Sequence, residues 1–505
     1  MNWAAIGPEL IIMMTAFFIL LAGLKKGMNK LSFLSGVSLV GIIAALLFTL
    51  TLWGEAPTIE NPGNPGMFSG ALIYDRFSLA FNLLFLLMAL FPIFGSARYP
   101  EENHENKAEY FTLLLMAVAG MMFLAKSGNL ITVFISLELF SIALYILCGF
   151  SAKHGTGKEG PNTSAELSWE TLASQESTVK YLLTGAFASA ILVYGMALIY
   201  AGSGTTELKM IGQLIHENPY TKNTLVYIGM GLMFCGLAFK ISLVPFHSWT
   251  PDVYQGAPTP ITGFMSVATK AAAFAVIARV FFTALPELEK VWMPILFGMS
   301  VLTMLVGNTA AIFQDDLKRM LAYSSIAHAG YMLLAMPVMS GDSIYAIMIY
   351  LVMYLFMNLG AFFVVITVKN KTGGETFDDY KGLGWEMPLI GVVMTIFMVS
   401  LTGLPPSAGF VGKFYIFASL IKGGNQFYWL VVVGGINSVI SLYYYFRVVK
   451  VMFLEGERKD TILQPPTVMA GMLLATAIPT VILGIYWTPV ADWIQNSLTF
   501  FIQTL

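Results

Sequence analysis

Apolar runs of about 20 residues, each long enough at 1.5 Å per residue to cross about 30 Å of hydrocarbon, recur from one end of this sequence to the other. In lipid every backbone polar group must find its partner inside the segment or the bundle, so a chain of this kind is confined to membrane-spanning helices. Composition agrees: 57% of the residues are hydrophobic and 11% are charged, whereas soluble domains carry about 25% charged residues. The pattern predicts an all-α polytopic membrane protein and excludes a soluble domain with a single anchor. A formal net charge of -2 gives no signal for nucleic acid or for a strongly charged partner.

Spans are expected at about 8–24, 32–53, 75–97, 110–125, 129–150, 178–201, 224–250, 260–285, 291–313, 317–339, 343–368, 388–421, 426–453 and 467–488, about 14 in all. The N-terminus lacks the charge, short apolar run and small-residue site of a cleaved signal, so residues 1–24 read as a retained first span. An even number of spans puts both termini on one side. Loops after odd-numbered spans hold most of the Lys and Arg, while the opposite loops hold only Arg76, Lys126, Lys209, Lys222, Lys290 and Lys422. The positive-inside rule therefore places both termini outside. Two loops on the predicted inner face, 151–177 and 369–386, read as solvated linkers from their Gly, Ser and Glu content, and the sequon at Asn162 is discounted for its predicted side. The apolar tail after Trp487 is expected to lie along the interface or against a neighbour.

Few ionisable residues stand deep in the apolar runs. They are Glu138 in the fifth span, Lys180 near the start of the sixth, Lys240 in the seventh, Lys270 in the eighth, His328 in the tenth and Lys413 in the twelfth; Arg279 and His247 lie closer to span ends, where a side chain can snorkel to water. A charge at the bilayer centre costs roughly 2.5–3.5 kcal/mol even on the lenient insertion scale, so such residues face a bundle interior or an aqueous path. Lys240 and Lys270 flank a break crowded with Pro245, Pro251, Pro258 and Pro260, and a second break, GLPPSAGF at 403–410, precedes Lys413. Breaks in corresponding positions of two halves are the mark of an inverted repeat, and in transporters they mark ion sites.

Glu138 has Ser141 one turn on and Tyr145 two turns on, which gives one helix a narrow polar stripe. A carboxylate in an apolar run is driven toward its neutral form unless an ammonium stands beside it, and Lys240 is the expected partner. The competing reading is a static ion pair that pins two helices. Lys270 and Lys413 have no carboxylate within their own spans, and an unpaired buried ammonium can load and release a proton near neutral pH; the competing reading is a lysine that snorkels or bonds backbone freed by a break. His328 shares a helix face with Ser324 and Ser325, either as part of a water wire or as a merely hydrogen-bonded core residue. Cys148 and Cys235 have no metal or redox spacing, no His, Cys and carboxylate cluster has metal-ligand spacing, and GFVGKF at 409–414 lacks the spacing of a phosphate loop.

The segments FKISLVPFHSWTPDVYQGAPTPITGFMSVATKAAAF, SLELFSIALYIL, VKYLLTGAFASAILVYGMALIY, DDLKRMLAYSSIAHAGYMLLA and SLTGLPPSAGFVGKF closely resemble the N-type subunits of bacterial NADH:quinone oxidoreductase, respiratory complex I. The resemblance runs from the first span to the thirteenth. It implies a proton-translocating, antiporter-like subunit of an inner-membrane translocase. Two inverted five-helix repeats would occupy 110–285 and 286–453, with helices 7 and 12 broken, a three-helix region over 1–109, and the last span and tail over 454–505. Glu138 and Lys240 would be the fifth- and seventh-span pair, Lys270 the central lysine and Lys413 the lysine of the broken twelfth helix; Lys180 and His247 also match the family pattern. M-type siblings generally carry a glutamate where Lys413 stands, and the length leaves no room for the lateral helix of the L-type. The resemblance further implies no cofactor in this chain, with NAD, FMN, iron-sulfur clusters and quinone in partner subunits, and other membrane-arm subunits and the lipid bilayer as partners. The 151–177 loop is longer than the family pattern. The functional alternatives are a subunit of a multi-subunit cation/proton antiporter and a scaffold whose ion pairs only hold the membrane arm together.

Overall fold

The computed structural model describes residues 3–25, 27–58, 66–96, 107–150, 169–217, 223–456 and 463–503. In chain order the helices are α1 (Gly7–Gly23), α2 (Leu31–Glu55), α3 (Arg76–Gly95), α4 (Lys107–Ala125), α5 (Leu130–Cys148), α6 (Trp169–Ser203), α7 (Leu208–Glu217), α8 (Thr224–Lys240), α9 (Trp249–Gly256), α10 (Thr259–Arg279), α11 (Glu289–Ile312), α12 (Leu317–Leu333), α13 (Gly341–Thr372), α14 (Leu383–Glu386), α15 (Pro388–Thr402), α16 (Ala408–Gly423), α17 (Tyr428–Leu454), α18 (Thr467–Ile485) and α19 (Thr488–Gln503). A two-stranded hairpin pairs Gly66–Met67 with Leu72–Ile73.

Twelve of these helices are long and apolar enough to cross a membrane. The seventh and twelfth expected spans are instead interrupted, as α8 with α9 and as α15 with α16. α8 stops at Lys240, where Ser242 enters the left-handed region at φ 62° and Pro245 follows. The backbone freed there is satisfied locally: Trp249 Nε1 donates to the Phe239 carbonyl at 3.1 Å and Val244 N to Thr303 Oγ1 at 3.0 Å. This satisfies the condition under which irregular backbone survives at membrane depth. α15 ends on Gly403 at φ 89°, a conformation that favours glycine, before the Pro405-Pro406 pair.

α10 is the axis of the molecule, with every residue from Thr259 to Arg279 buried. Its polar side chains close on the chain's own carbonyls, Thr262 on Tyr254, Ser266 on Gly263 and Thr269 on Met265, at 2.6–2.9 Å. It can therefore be enclosed without orphaned hydroxyls, while Ala271, Ala272 and Ala273 let neighbours approach. It packs against α3, α4, α5, α12 and α13. α6 and α8 cross closely through glycine: a Cβ on Gly229 would stand 2.7 Å from the Gly195 carbonyl oxygen.

Three expectations change. The 151–177 segment is not a linker to its end, because α6 begins at Trp169; residues 151–168, Asn162 included, lie outside the described residues. The 369–386 segment is not a free linker: α13 runs to Thr372, and Glu375 lies 3.5 Å from Lys369 and accepts a bond from Thr259 at 2.8 Å. The tail, expected along the interface or against a neighbour, packs on this chain's own helices. α19 packs back on α3 and α13, stacking Trp493 on Trp53 and Phe501 on Phe77.

Candidate functional site: a buried basic and hydroxyl line

Lys240 is the last residue of α8 and is 3% exposed. Its Nζ donates to Ser141 Oγ at 2.9 Å and to Tyr145 OH at 3.2 Å, so the polar stripe of α5 is the surface that receives it. Glu138, one turn back and half-buried, accepts a bond from Ser189 of α6 at 2.5 Å. The expected carboxylate–ammonium contact is thus replaced by a separated pair that shares one helix face. From Tyr145 an aromatic line leads inward: Tyr181 meets Tyr145 edge-on and stacks on Trp249, which touches Tyr254.

Lys270, midway along α10, is completely buried. It bonds the Ser325 hydroxyl, and its Nζ stands 5.8 Å from the centre of the Tyr254 ring. Ser266, one turn back on α10, accepts a bond from Asn358 of α13 at 2.5 Å. One turn beyond Ser325 on α12, His328 is held on both ring nitrogens, Nδ1 by Tyr350 OH at 2.6 Å and Nε2 by Tyr445 OH at 3.0 Å. Ser324 serves Tyr445 and not the lysine, so the shared face read from the sequence divides into two directions. His328 lies 6.0 Å, ring to ring, from Tyr331, and the Lys413 ammonium sits 4.4 Å from the centre of that same ring.

Lys413 donates to the Thr402 carbonyl at 2.7 Å and to Ser438 Oγ at 3.2 Å. Thr402 closes α15, so the twelfth-span break places a free helix-terminal carbonyl, at the negative end of the dipole, against the ammonium. Gly403 makes room for it: a Cβ there would meet Lys413 Cδ at 2.7 Å.

Lys180 and His247 are set apart from this line. The Lys180 side chain is 41% exposed and bridges Glu176 and Asp252, each at 2.6 Å. Asp252 in turn binds Arg319 at 2.7 Å. Lys318, buried beside it, donates to the Ala257 carbonyl at 2.6 Å at the end of α9. Glu176, Asp252, Lys318 and Arg319, though not Lys180, line a cavity of about 410 Å³ with Asp316 and Glu375. Burial pushes the Asp316 carboxyl up; burial also opposes the charge of Glu375, but Lys318 and Lys369 outweigh it and hold that carboxyl below its usual range. His247 occupies the connection between α8 and α9, half-buried, with no hydrogen-bond partner for Nδ1.

Two buried ion pairs escaped the sequence reading. Lys126 looked like a loop charge, yet it is fully buried and pairs with Glu9 at 2.6 Å. Arg279 does not snorkel; its guanidinium grips both carboxylate oxygens of Asp75 at 2.7 Å. The tyrosines around His328 were also missed, since a tyrosine in an apolar run carries no mark of its partner. Among the described residues, no group of three or more His, Cys, Asp and Glu is placed to hold a metal ion.

Residues 165–441 match the family described as NADH:quinone oxidoreductase/Mrp antiporter, TM. The NADH-quinone oxidoreductase subunit N of Trichlorobacter lovleyi is 39% identical over 98% of this chain and 97% of its own length. That of Moorella thermoacetica is 42% identical over 86% of this chain and 88% of its own. Among solved structures, a chain of respiratory complex I from Thermus thermophilus with bound aureothin superposes with a TM-score of 0.76 at 31% identity, covering 96% of this chain and all of that one. A chain of the Mrp complex from Dietzia superposes with a TM-score of 0.81 at 18% identity and shares the fold. Broken helices, buried lysines and sequence identity along nearly the whole length converge: the chain belongs to the subunit N family of NADH-quinone oxidoreductases.

Proposed function

We propose that this chain moves protons across a bacterial inner membrane as the N-type subunit of the membrane arm of NADH:quinone oxidoreductase, beside related antiporter-like subunits. Partner subunits carry the NADH, FMN, iron-sulfur and quinone chemistry. The observation that carries the reading is the buried line Lys270–Ser325–His328–Tyr331–Lys413, which runs from α10 through α12 to α16 of the interrupted twelfth span inside a membrane bundle. Lysine and histidine can bind and release protons, hydroxyls can hand them on, and the intervening steps of about one helical turn are within reach of a bridging water.

In this reading Glu138 and Lys240 form the switch. Ser141 and Tyr145 keep the two charges apart, so a charge change at a neighbouring subunit beside the half-buried Glu138 alters the field at Lys240 and, through it, at Lys270. A unit charge moved to within about 4 Å of another is worth roughly 4 kcal/mol at an effective dielectric of about 20, enough to load or unload a lysine. Lys180 and His247 serve the approach to the line, beside the cavity at Asp252 and in the α8–α9 connection. Segments 110–285 and 286–453 act as the two inverted repeats, each interrupted pair counting as one span so that the termini share the outer side; the two breaks with their lysines support this division.

The test is NADH-driven proton pumping in vesicles that hold the assembled complex with Lys270→Met. Loss of pumping with assembly intact is expected; undiminished pumping removes the relay. Sodium-dependent proton exchange by the isolated chain, without redox partners, would favour the antiporter reading.

A further inference from the structure

Four tyrosines surround His328, and the hydroxyls of three are engaged. Tyr350 and Tyr445 hold the ring nitrogens, and Tyr331 accepts a bond from Ser438 at 3.3 Å. The fourth, Tyr354 of α13, places its ring centre 4.9 Å from the imidazole, closer than Tyr350 at 5.9 Å or Tyr331 at 6.0 Å. Tyr354 is completely buried, yet its hydroxyl bonds no group among the described residues. A buried hydroxyl without a partner is unfavourable, and phenylalanine would fill the same space without that cost.

The surroundings of this hydroxyl give it a use. It faces Ser325, which also receives the Lys270 ammonium and donates a long bond of 3.4 Å to the Ser266 carbonyl. One turn along α13, Asn358 donates to the Ser266 hydroxyl at 2.5 Å and leaves its own Oδ1 unbonded among the described residues. One face of α13 therefore runs from the cluster around Lys270 to the His328 ring, and it carries two buried polar groups with bonding capacity to spare. Such groups are the partners that an ordered water requires. Along α12, by contrast, only Ile326 and Ala327 stand between Ser325 and His328.

We propose that Tyr354 is the relay hydroxyl between Lys270 and His328, so that the proton crosses by way of α13 and not along α12. The inference rests on the proton-translocating reading above. A phenol both donates and accepts through one rotating O–H. Ser325 turns its hydroxyl from the long Ser266 bond to Tyr354 and takes a replacement proton from Lys270. Tyr354 gives its own proton through one water to Tyr445, which lies within its electrostatic reach, and Tyr445 passes a proton to His328 Nε2. Each oxygen ends with the protons it began with, and one proton has moved from the ammonium to the imidazole.

The measurement is protons moved per NADH by the complex assembled in vesicles. Tyr354→Phe removes the hydroxyl alone. It is expected to assemble like wild type, to unfold at the same temperature or higher, and to lower the pumping ratio to that of Lys270→Met. The double variant should fall no further, since both changes break one line. Replacing Tyr354 by 4-aminophenylalanine, whose amine exchanges a proton at a similar reach, should restore most of the ratio. A wild-type ratio in Tyr354→Phe beside a reduced one in Lys270→Met overturns the Tyr354 relay. Failure of Tyr354→Phe to assemble, or an equal loss with 4-aminophenylalanine, also overturns it, because either makes the residue a packing element. An undiminished ratio in Lys270→Met instead overturns the reading on which the relay rests.

Discussion

Lys126→Met is the sharpest test of how this bundle tolerates charge. In the wild-type chain the Glu9 carboxylate is completely buried and receives two donors on Oε1, the Lys126 ammonium at 2.6 Å and the Asn82 amide at 2.7 Å, while Oε2 has no protein donor. Methionine fills the space of the lysine stem but leaves the carboxylate with one neutral donor and frees the Ala5 carbonyl that the ammonium also held. Removing one partner of a buried pair costs about 3–5 kcal/mol, because the survivor keeps its desolvation penalty without the attraction that offset it. The cost should fall on the seam between α1, α3 and α4, which these three side chains join. Adding Glu9→Gln removes the stranded charge, so the double variant should recover most of the loss, with a coupling of about 1–3 kcal/mol between the sites. Denaturation of the detergent-solubilised protein, followed by tryptophan fluorescence, measures all four corners of the cycle. A Lys126→Met variant within about 0.5 kcal/mol of wild type, or a coupling near zero, would refute the argument.

Other outcomes follow from local geometry. Gly403→Ala should cost about 1–2 kcal/mol for its left-handed backbone and, by pushing on Lys413 Cδ, lower proton pumping per NADH while leaving the electron transfer of partner subunits intact. Gly229→Ala should cost about 1–3 kcal/mol, because its Cβ would meet the Gly195 carbonyl across the α6–α8 crossing, and thermal unfolding would register the loss. Glu375 has a folded-state pKa below its ordinary 4.5, so its contribution is fully present above that value and fades as pH falls through the lowered one. The stability gap between wild type and Glu375→Gln should therefore be open at neutral pH and close in acid; a gap that widens in acid would contradict the assignment.

Much of the fold was legible because membrane physics leaves few choices: an apolar run of span length becomes a helix, and Pro245 and Pro405-Pro406 announce the two interruptions. Lys240, Lys270, His328 and Lys413 could be picked out because each breaks an apolar run at a visible cost. Their partners could not. Glu9 stands 117 residues before Lys126 and Asp75 204 before Arg279, and both cations sit near run ends where the sequence allows a solvated side chain. Tyr350 and Tyr445 look like any membrane tyrosine until the fold brings them to His328. The start of α6 at Trp169 was hidden for a related reason: its first turns are polar, so no apolar run marks them as helical.

The central claim is that protons travel between Lys270 and Lys413 by way of His328. His328→Phe keeps the ring volume and removes both exchangeable nitrogens, while Ser325 still bonds Lys270 and Ser438 still bonds Lys413. The measurement is the number of protons moved per NADH oxidised by the assembled complex in vesicles. The account predicts a lower ratio at an unchanged rate of complex assembly; a ratio equal to that of wild type would contradict it.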